Sequence, residues 1–281
     1  MSEIVTDILN NQSNKDISSN DISNEKKLKN VFRKKALMPF ITAGDPDLNT
    51  TKDIIITLDR SGADIIEIGI PFSDPLADGP VIQAAGLRSL KSGTNLAKIF
   101  EVLKSIKNKV NCPYLLMGYY NPILNYGKER FINDAIDAGV SGVIIPDLPY
   151  DQDIEFFNEL INKDIIPVLM LTPVTAEKRL KEITSLCRAF IYCVSLLGTT
   201  GTASSALVDI NKYLNNIRKY TDIPLALGFG IDGPEKVKEI INDTDGIIIG
   251  SALVKIIEEH GKNSLLLKAI ETFIKDIKAV M

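Results

Sequence analysis

The most informative stretch of this chain is Ile66-Glu67-Ile68-Gly69-Ile70-Pro71-Phe72-Ser73-Asp74-Pro75-Leu76-Ala77-Asp78-Gly79. It begins as an apolar strand and ends as a loop rich in turn residues. The strand carries Glu67 among isoleucines, and the loop carries Asp74 and Asp78. Burial raises the pKa of a carboxyl group, which suits a group that must both give and take a proton. The stretch therefore predicts a buried strand that ends at a site of proton transfer.

The composition excludes several classes of protein. Of 281 residues, 45% are hydrophobic and 24% are charged, as in ordinary globular proteins. A net charge of −4 argues against nucleic acid as the main partner, because backbone phosphates demand a basic surface. No apolar run approaches the ~20 residues that span a bilayer. The cysteines Cys112, Cys187 and Cys193 lack metal-ligand spacing, which indicates reduced thiols in a reducing compartment.

The first thirty residues differ from the rest of the chain. Residues 1–30 are rich in Asn, Ser, Asp and Lys and have no sustained apolar period. They lack the apolar core of a signal peptide, and their acidic residues argue against a transit peptide. We predict a disordered polar extension, with a helix near Glu25 to Lys35. A partner-binding or targeting arm is the alternative.

From Ala36 onward, apolar strand-like runs alternate with amphipathic helical segments. The predicted strands are residues 36–41, 64–69, 114–117, 142–145, 166–171, 189–195, 224–227 and 246–249. The alternation is compatible with an open doubly wound sheet or with a closed barrel. Eight units within about 250 residues favour a (β/α)8 TIM barrel. We predict one catalytic barrel domain over residues 31–281, with an extra C-terminal helix from Asn263.

In such a barrel, the loop after each strand lies on the catalytic face. Three glycine sites there, with Gly228 and Gly230 after the seventh strand and Gly250 and Ser251 after the eighth, predict a phosphate site. Glycines let backbone N–H groups approach an anion, and a helix N-terminus attracts negative charge. The third glycine site is the sixth loop, residues 198–201. Tight turns alone are the alternative explanation.

The remaining strand ends supply candidates for acid and base. Glu67 and Asp78 are the candidate catalytic residues, and the alternatives are a buried ion pair for Glu67 and a turn cap for Asp78. Asp147 follows the fourth strand, and Tyr192 in the sixth is either core or pocket lining. The single histidine, His260, precedes Gly261 and is interpreted as the end of a helix.

Together these residues resemble the tryptophan synthase α subunit family. The stretch quoted above matches the signature of that family. So do five further motifs in the order of the family: Pro39 to Pro46, Tyr119 to Pro122, Pro146 to Pro149, and the glycine sites at Gly228 to Gly230 and Gly250 to Ala252. The resemblance covers residues 36 to about 260, and the last helix fits as well.

The resemblance implies a retro-aldol cleavage of indole-3-glycerol phosphate to indole and glyceraldehyde 3-phosphate, without metal or organic cofactor. It implies that Glu67 and Asp78 are catalytic. It places Phe40, Met117, Tyr192 and Thr200 at the substrate, and Gly201, Gly228, Gly230, Gly250 and Ser251 at its phosphate. The sequence departs from the family in its long N-terminal extension and in Leu196 and Leu197 of the sixth loop.

The resemblance also implies a partner, a pyridoxal-phosphate β subunit that receives the indole within an α2β2 tetramer. Asp74 and Pro75 are the candidate contact residues. The expected location is the cytoplasm or a plastid stroma, without secretion. Three alternatives stay open at this point: a stand-alone indole-releasing lyase, another phosphate-binding barrel such as a sugar-phosphate isomerase, and an inactive barrel that activates a β subunit.

Overall fold

A computed structural model describes residues 22–194, 209–228 and 230–281. The strands are β1 (Ala36–Thr42), β2 (Ile66–Gly69), β3 (Tyr114–Met117), β4 (Gly142–Ile144), β5 (Ile166–Pro167), β6 (Met170–Leu171), β7 (Ile191–Val194), β8 (Leu225–Gly228) and β9 (Gly246–Ile249). The helices are α1 (Asn24–Val31), α2 (Leu48–Ser61), α3 (Pro80–Lys91), α4 (Leu96–Ile106), α5 (Tyr120–Tyr126), α6 (Lys128–Ala138), α7 (Ile154–Asn162), α8 (Glu177–Leu186), α9 (Ile210–Arg218), α10 (Pro234–Ile240), α11 (Ser251–His260) and α12 (Leu266–Lys278).

The strands form one parallel sheet in the order β5-β4-β3-β2-β1-β9-β8-β7-β6. Its two ends, β5 and β6, are pieces of the single strand predicted over residues 166–171. The N–H of Val168 donates to Val143 (2.8 Å), and the carbonyl of Leu169 accepts from Tyr192 (3.0 Å), so this segment joins both ends of the sheet. The prediction of a (β/α)8 barrel is confirmed, with its fifth strand in two pieces rather than one.

The strands divide their side chains between two apolar layers. On β2, Ile66 and Ile68 pack outward against the surrounding helices, in a layer that includes Ile54 and Phe100. Ile65, at the start of this segment, points into the barrel with Met38. Because side chains alternate along a strand, Glu67 points inward as well. The alternation thus brings a carboxyl group into the barrel interior.

Several helices begin and end at residues that suit their termini. Asp47, Asn95, Asp153 and Asp209 each precede a helix and accept a hydrogen bond from a backbone N–H of its first turn. Helix α11 ends at His260, as predicted, and Gly261 follows with φ of 53°. These caps fix where the helices meet the strand ends.

Helix α1 closes the amino-terminal end of the barrel. Leu28 is 0% exposed and packs with the interior layer, and Phe32 lies 5.1 Å from Phe190, centroid to centroid. The helix predicted near Glu25 to Lys35 is therefore present over Asn24–Val31. The sequence analysis assigned residues 1–30 to a disordered extension, whereas residues 24–30 belong to this packed helix. Residues 1–21 lie outside the described part of the chain.

Two further features concern the cysteines and the length of the helices. Cys187 and Cys193 are buried and Cys112 is half-buried, and all three are free thiols. Within the described ranges, no helix is long and apolar enough to cross a membrane.

Candidate active site

Glu67 lies inside the barrel and is 0% exposed. It is paired in register with Phe40 on β1 and Leu115 on β3. Neither carboxylate oxygen has a hydrogen-bond partner among the described residues. Buried polar groups are nearly always hydrogen-bonded, so an unpartnered carboxyl group points to a role outside folding. The sequence analysis offered a buried ion pair as the alternative role of Glu67, but no basic side chain pairs with it in the described part of the chain.

The surroundings of Glu67 favour its protonated form. Burial raises its pKa to about 8, and the negative charge of Asp78 adds to this shift. At neutral pH the Glu67 side chain therefore holds a proton. A carboxylic acid with a pKa near the working pH can both donate and recover a proton during one reaction cycle.

Asp78 lies at the end of the loop that follows β2, two residues before helix α3 begins. Burial raises its pKa to about 6, while a hydrogen bond from Tyr119 lowers it. The Tyr119 hydroxyl also accepts the N–H of Ala77, at 2.9 Å. The ring of Tyr119 packs against Phe72 of the same loop, with 5.3 Å between centroids. Asp78 is thus held as an ionised group at neutral pH.

The two carboxyl groups face one cavity of about 400 Å³. Its apolar wall includes Phe40, Met117 and Ile231, and Tyr192 adds a phenol. Burial and the charges of Glu67 and Asp78 raise the pKa of Tyr192 well above its usual value, so the phenol stays protonated. An apolar cavity with a few polar groups is the usual form of a small-molecule site.

Phe40 has its place in the cavity wall because two neighbouring positions lack side chains. A Cβ at Gly69 would lie 2.5 Å from Cζ of Phe40, and one at Gly250 would lie 3.5 Å from its Cδ1. Ala85 of α3 and Val254 of α11 pack against the same ring. Phe40 is therefore fixed between the β2 end and the α11 end of the site.

Four small residues form another part of the cavity wall. Gly228, Gly230, Gly250 and Ser251 line it together. Ser251 is the first residue of helix α11, whose free N–H groups and dipole attract negative charge. The residues of the seventh and eighth loops that were predicted to bind phosphate therefore line the same cavity as Glu67 and Asp78.

No cluster of three or more metal-ligating side chains occurs in the described ranges. The polar groups of the cavity are instead two carboxyl groups, a phenol, and the hydroxyls of Thr172 and Ser251.

Comparison with known proteins identifies the family. Residues 26–281 match the family model described as "Tryptophan synthase alpha chain". The chain belongs to this family. Its members cleave indole-3-glycerol phosphate as part of an alpha–beta complex.

Relatives of the tryptophan synthase alpha chain family resemble this chain over nearly their whole length. The alpha chain of Petrotoga mobilis is 53% identical over 254 residues, which cover 90% of this chain and 98% of the relative. The alpha chain of Geotalea daltonii is 44% identical over 247 residues, which cover 88% and 93%.

Solved structures of the family agree with the fold. The tryptophan synthase alpha chain of Legionella pneumophila is 30% identical and superposes with a TM-score of 0.82, over 92% of this chain and 97% of that one. A chain of the tryptophan synthase complex of Pyrococcus furiosus is 35% identical and superposes with a TM-score of 0.77, over 87% and 98%.

The structure brings most of the predicted site residues of this family member together. Seven lie around the cavity besides the two carboxyl groups: Phe40, Met117, Tyr192, Gly228, Gly230, Gly250 and Ser251. Thr200 and Gly201 lie outside the described residues, as do Leu196 and Leu197. Asp147 is placed elsewhere, since its carboxylate accepts the N–H of Tyr120 at the start of α5 (2.9 Å).

Asp74 and Pro75 lie on the outer side of the loop after β2. Asp74 is exposed, and Pro75 borders a smaller cavity beneath the loop. Their assignment as contact residues for a partner stays a prediction.

Two residues close to Asp78 escaped the sequence analysis. Tyr119 was noted only as part of a motif, because its bond to the Asp78 loop spans 42 positions of the chain. Thr42 ends β1, and its buried hydroxyl has no partner among the described residues. It borders the smaller cavity with Asp78 and Tyr119. Thr42 lies two residues after Phe40 on β1, and alternate side chains of a strand point to the same face. This spacing is the signal that would have found Thr42.

Proposed function

We propose that Glu67 and Asp78 carry out the retro-aldol cleavage of indole-3-glycerol phosphate in this chain. The observation that carries the proposal is the pairing of two carboxyl groups whose pKa values differ: about 8 for the fully buried Glu67 and about 6 for Asp78. At neutral pH one is an acid and the other an anion. The reaction needs one group of each kind.

The first step is the protonation of the ring. Cleavage must leave an electron pair on carbon 3 of indole, which is a poor carbanion. Glu67 donates its proton to this carbon, and the positive charge moves to the ring nitrogen. Asp78 accepts a hydrogen bond from the ring N–H and stabilises the charge that develops there.

The second step is the cleavage itself. The electron pair of the carbon–carbon bond returns to the ring and neutralises its charge. The electrons of the adjacent O–H bond form the aldehyde, and the released proton goes to the Glu67 carboxylate. Glu67 regains its acid form, so the step balances in protons and electrons and requires neither a metal nor an organic cofactor.

The rest of the cavity binds and orients the substrate. The N-terminus of α11, with Gly250 and Ser251, would hold the phosphate, and Gly228 and Gly230 would leave room for it. Phe40 and Met117 would contact the indole ring. Binding energy from the phosphate end then fixes the reacting carbons close to Glu67, which lowers the barrier. Thr200 and Gly201 are proposed to complete the site from the sixth loop.

The proposal is tested by indole release from indole-3-glycerol phosphate. We expect Glu67→Gln to lower turnover by about 10²- to 10⁴-fold, the usual worth of general acid–base catalysis. Binding of inorganic phosphate should stay within about twofold. Asp64→Asn, in the segment that leads into the same strand, is the matched control and should keep near-normal turnover. A Glu67→Gln protein with a near-normal rate would contradict the assignment.

Asp78 has its own test. Asp78→Asn should lower turnover while largely keeping substrate affinity, because the charge that it stabilises appears only during the reaction. An unchanged rate would remove Asp78 from the mechanism.

We also propose a β subunit as partner of this chain, in an α2β2 assembly. A chain of the tryptophan synthase a2b2 complex of Pyrococcus furiosus is 34% identical to this chain and superposes with a TM-score of 0.80. The exposed Asp74 and the adjacent Pro75 would contact the partner, which would hold the pyridoxal phosphate. Asp74→Lys should weaken β-subunit binding about tenfold, measured by calorimetry. Unchanged binding by Asp74→Lys would reject this contact. Fast indole release by the wild-type chain without a β subunit would show instead that the chain acts as a stand-alone lyase.

For the location, we propose the cytoplasm. The three thiols are free, as in proteins of reducing compartments, and the relatives named above are bacterial.

A further inference from the structure

Arg88 joins three elements that surround the cavity. It lies near the end of helix α3. Its Nε and Nη2 donate to the two carboxylate oxygens of Asp45, both at 2.8 Å, and its Nη1 donates to Glu258 of α11 at 2.6 Å. Asp45 belongs to the loop after β1 and is 1% exposed. A bidentate pair with a buried carboxylate fixes the orientation of the guanidinium group as well as its distance.

The loop after β1 is a rigid anchor for this arrangement. Ser89 Oγ donates to the carbonyl of Ala43 (2.5 Å), and Ser92 Oγ donates to the carbonyl of Gly44 (3.2 Å). Gly44 has φ of 81°, and a Cβ there would lie 1.9 Å from Oγ1 of Thr94. Helix α3 and its C-terminal residues are therefore bound to this loop at several points, and Arg88 extends the connection to α11.

The two helices that Arg88 connects carry the two ends of the site. Asp78 lies two residues before the start of α3, and Ser251 is the first residue of α11. The helices pack against each other and share Phe40 between Ala85 and Val254. A shift of α3 along α11 would therefore change the span between Asp78 and the phosphate end.

We propose that Arg88 is a positioning residue that sets the distance between Asp78 and the phosphate site, and so selects the length of the substrate. The proposal rests on the function proposed above, because it takes the cavity to bind a ring at one end and a phosphate at the other. Neither Asp45 nor Glu258 lines the cavity, so Arg88 acts through the placement of α3 and α11 and not by contact with the substrate.

The test compares two uncleavable ligands in which an indole ring is joined to phosphate by a saturated chain of three or four carbons. The wild-type chain should bind the three-carbon ligand about tenfold more tightly, because a fixed span penalises a mismatch. Arg88→Met should reduce this preference to about twofold while leaving the affinity for inorganic phosphate nearly unchanged. For indole-3-glycerol phosphate, kcat should fall about tenfold with little change in KM.

Two further variants separate positioning from mere stability. Arg88→Lys keeps the charge but not the bidentate geometry, and should restore only part of the length preference. Glu258→Gln keeps the Asp45 pair and loosens only the α11 arm, so it should fold even if Arg88→Met does not and should lower the preference by a smaller factor. Lys104→Met, which breaks an exposed pair with Asp134 on α6, is the matched control and should change neither ligand ratio.

The outcomes are distinct. An unchanged length preference in Arg88→Met and Glu258→Gln would overturn the proposal. So would an equal loss of affinity for both ligands and for phosphate, which would indicate a structural ion pair only. If the wild-type chain prefers the three-carbon ligand through Arg88 but releases no indole with or without a β subunit, the proposed function fails while the positioning role stands.

Discussion

Two acidic residues three positions apart on one strand segment have opposite surroundings. Asp64, at the amino end of β2, accepts the N–H of Leu37 (2.9 Å) and pairs with Lys278 (2.6 Å) and Lys34 (3.1 Å). Glu67, near the carboxyl end, is more deeply buried and has no partner among the described residues. The first carboxylate stabilises the fold, and the second costs stability, which the proposed catalytic role would account for.

The same contrast separates the two ends of the barrel. At the amino end, Asp245 before β9 accepts the N–H of Leu225 (2.8 Å) and pairs with Arg218, and Leu28 closes the interior. At the carboxyl end, the strands lead into a cavity that is lined by the buried Glu67 and the half-buried Asp78. The acidic groups at the amino end have hydrogen-bond partners, whereas Glu67 at the carboxyl end has none among the described residues.

The largest effect is expected when Glu67 is replaced by a side chain that cannot ionise. Its pKa is raised to about 8 in the folded chain, from 4.5 in the unfolded one, so between these pH values only the unfolded chain releases the proton. The stability that it contributes is present below pH 4.5 and is lost as the pH rises through 8, by about 1.4 kcal/mol for each pH unit. Glu67→Gln should therefore match the wild type in urea unfolding at pH 5 and exceed it by a few kcal/mol at pH 8. Equal unfolding free energies at both pH values would contradict this.

Asp64→Ala should have the opposite sign. It removes the acceptor of the Leu37 N–H and the partner of two lysines, which should lower the free energy of unfolding by about 1–3 kcal/mol. Indole release per folded molecule should stay near the wild-type rate. If Asp64→Ala lost as much turnover as Glu67→Gln, the proposed difference between a stabilising Asp64 and a catalytic Glu67 would be wrong.

The contrast can be sharpened by the pH dependence of catalysis. The proposed mechanism needs an ionised Asp78 and a protonated Glu67, whose pKa values are about 6 and about 8. We expect kcat/KM to fall about tenfold for each pH unit below 6 and above 8. In Asp78→Asn the residual activity should lose the acidic limb and keep the basic one. A wild-type profile that is flat from pH 5 to 9 would reject this division of roles.

The fold was predictable because its signal is local. Apolar runs and helical periods placed every strand of the barrel, and the strand predicted over residues 64–69 contains β2 (Ile66–Gly69). The break between β5 and β6 was not predicted, since a continuous apolar run says nothing about which residues find ladder partners. Pro167 has no N–H to donate to a neighbouring strand. Helix α5 was also missed, because Pro122 in the segment reads as a turn unless it falls in the first turn of a helix.

Parts of the candidate site were predictable where a single residue in its local sequence was enough to mark them. A carboxyl group among isoleucines marked Glu67, and glycines before a helix marked Gly250. What escaped were side chains whose importance depends on a distant partner. Arg88 was an ordinary basic residue of an amphipathic helix, and its pairing with Asp45 joins positions 43 residues apart. Only the tertiary structure brings such pairs together.

The smallest effect is expected at Tyr119, which bonds to only one of the two carboxyl groups of the site. Its hydrogen bond lowers the pKa of Asp78, whereas Glu67 has no such bond. Tyr119→Phe removes it, so the acidic limb of the kcat/KM profile should move upward by less than about one pH unit while the basic limb stays in place. Tyr120→Phe is the matched control, because its hydroxyl donates to Asp153 instead. A shift of both limbs in Tyr119→Phe would mean that the tyrosine acts on the pair as a whole, whereas no shift would mean that burial alone sets the pKa of Asp78.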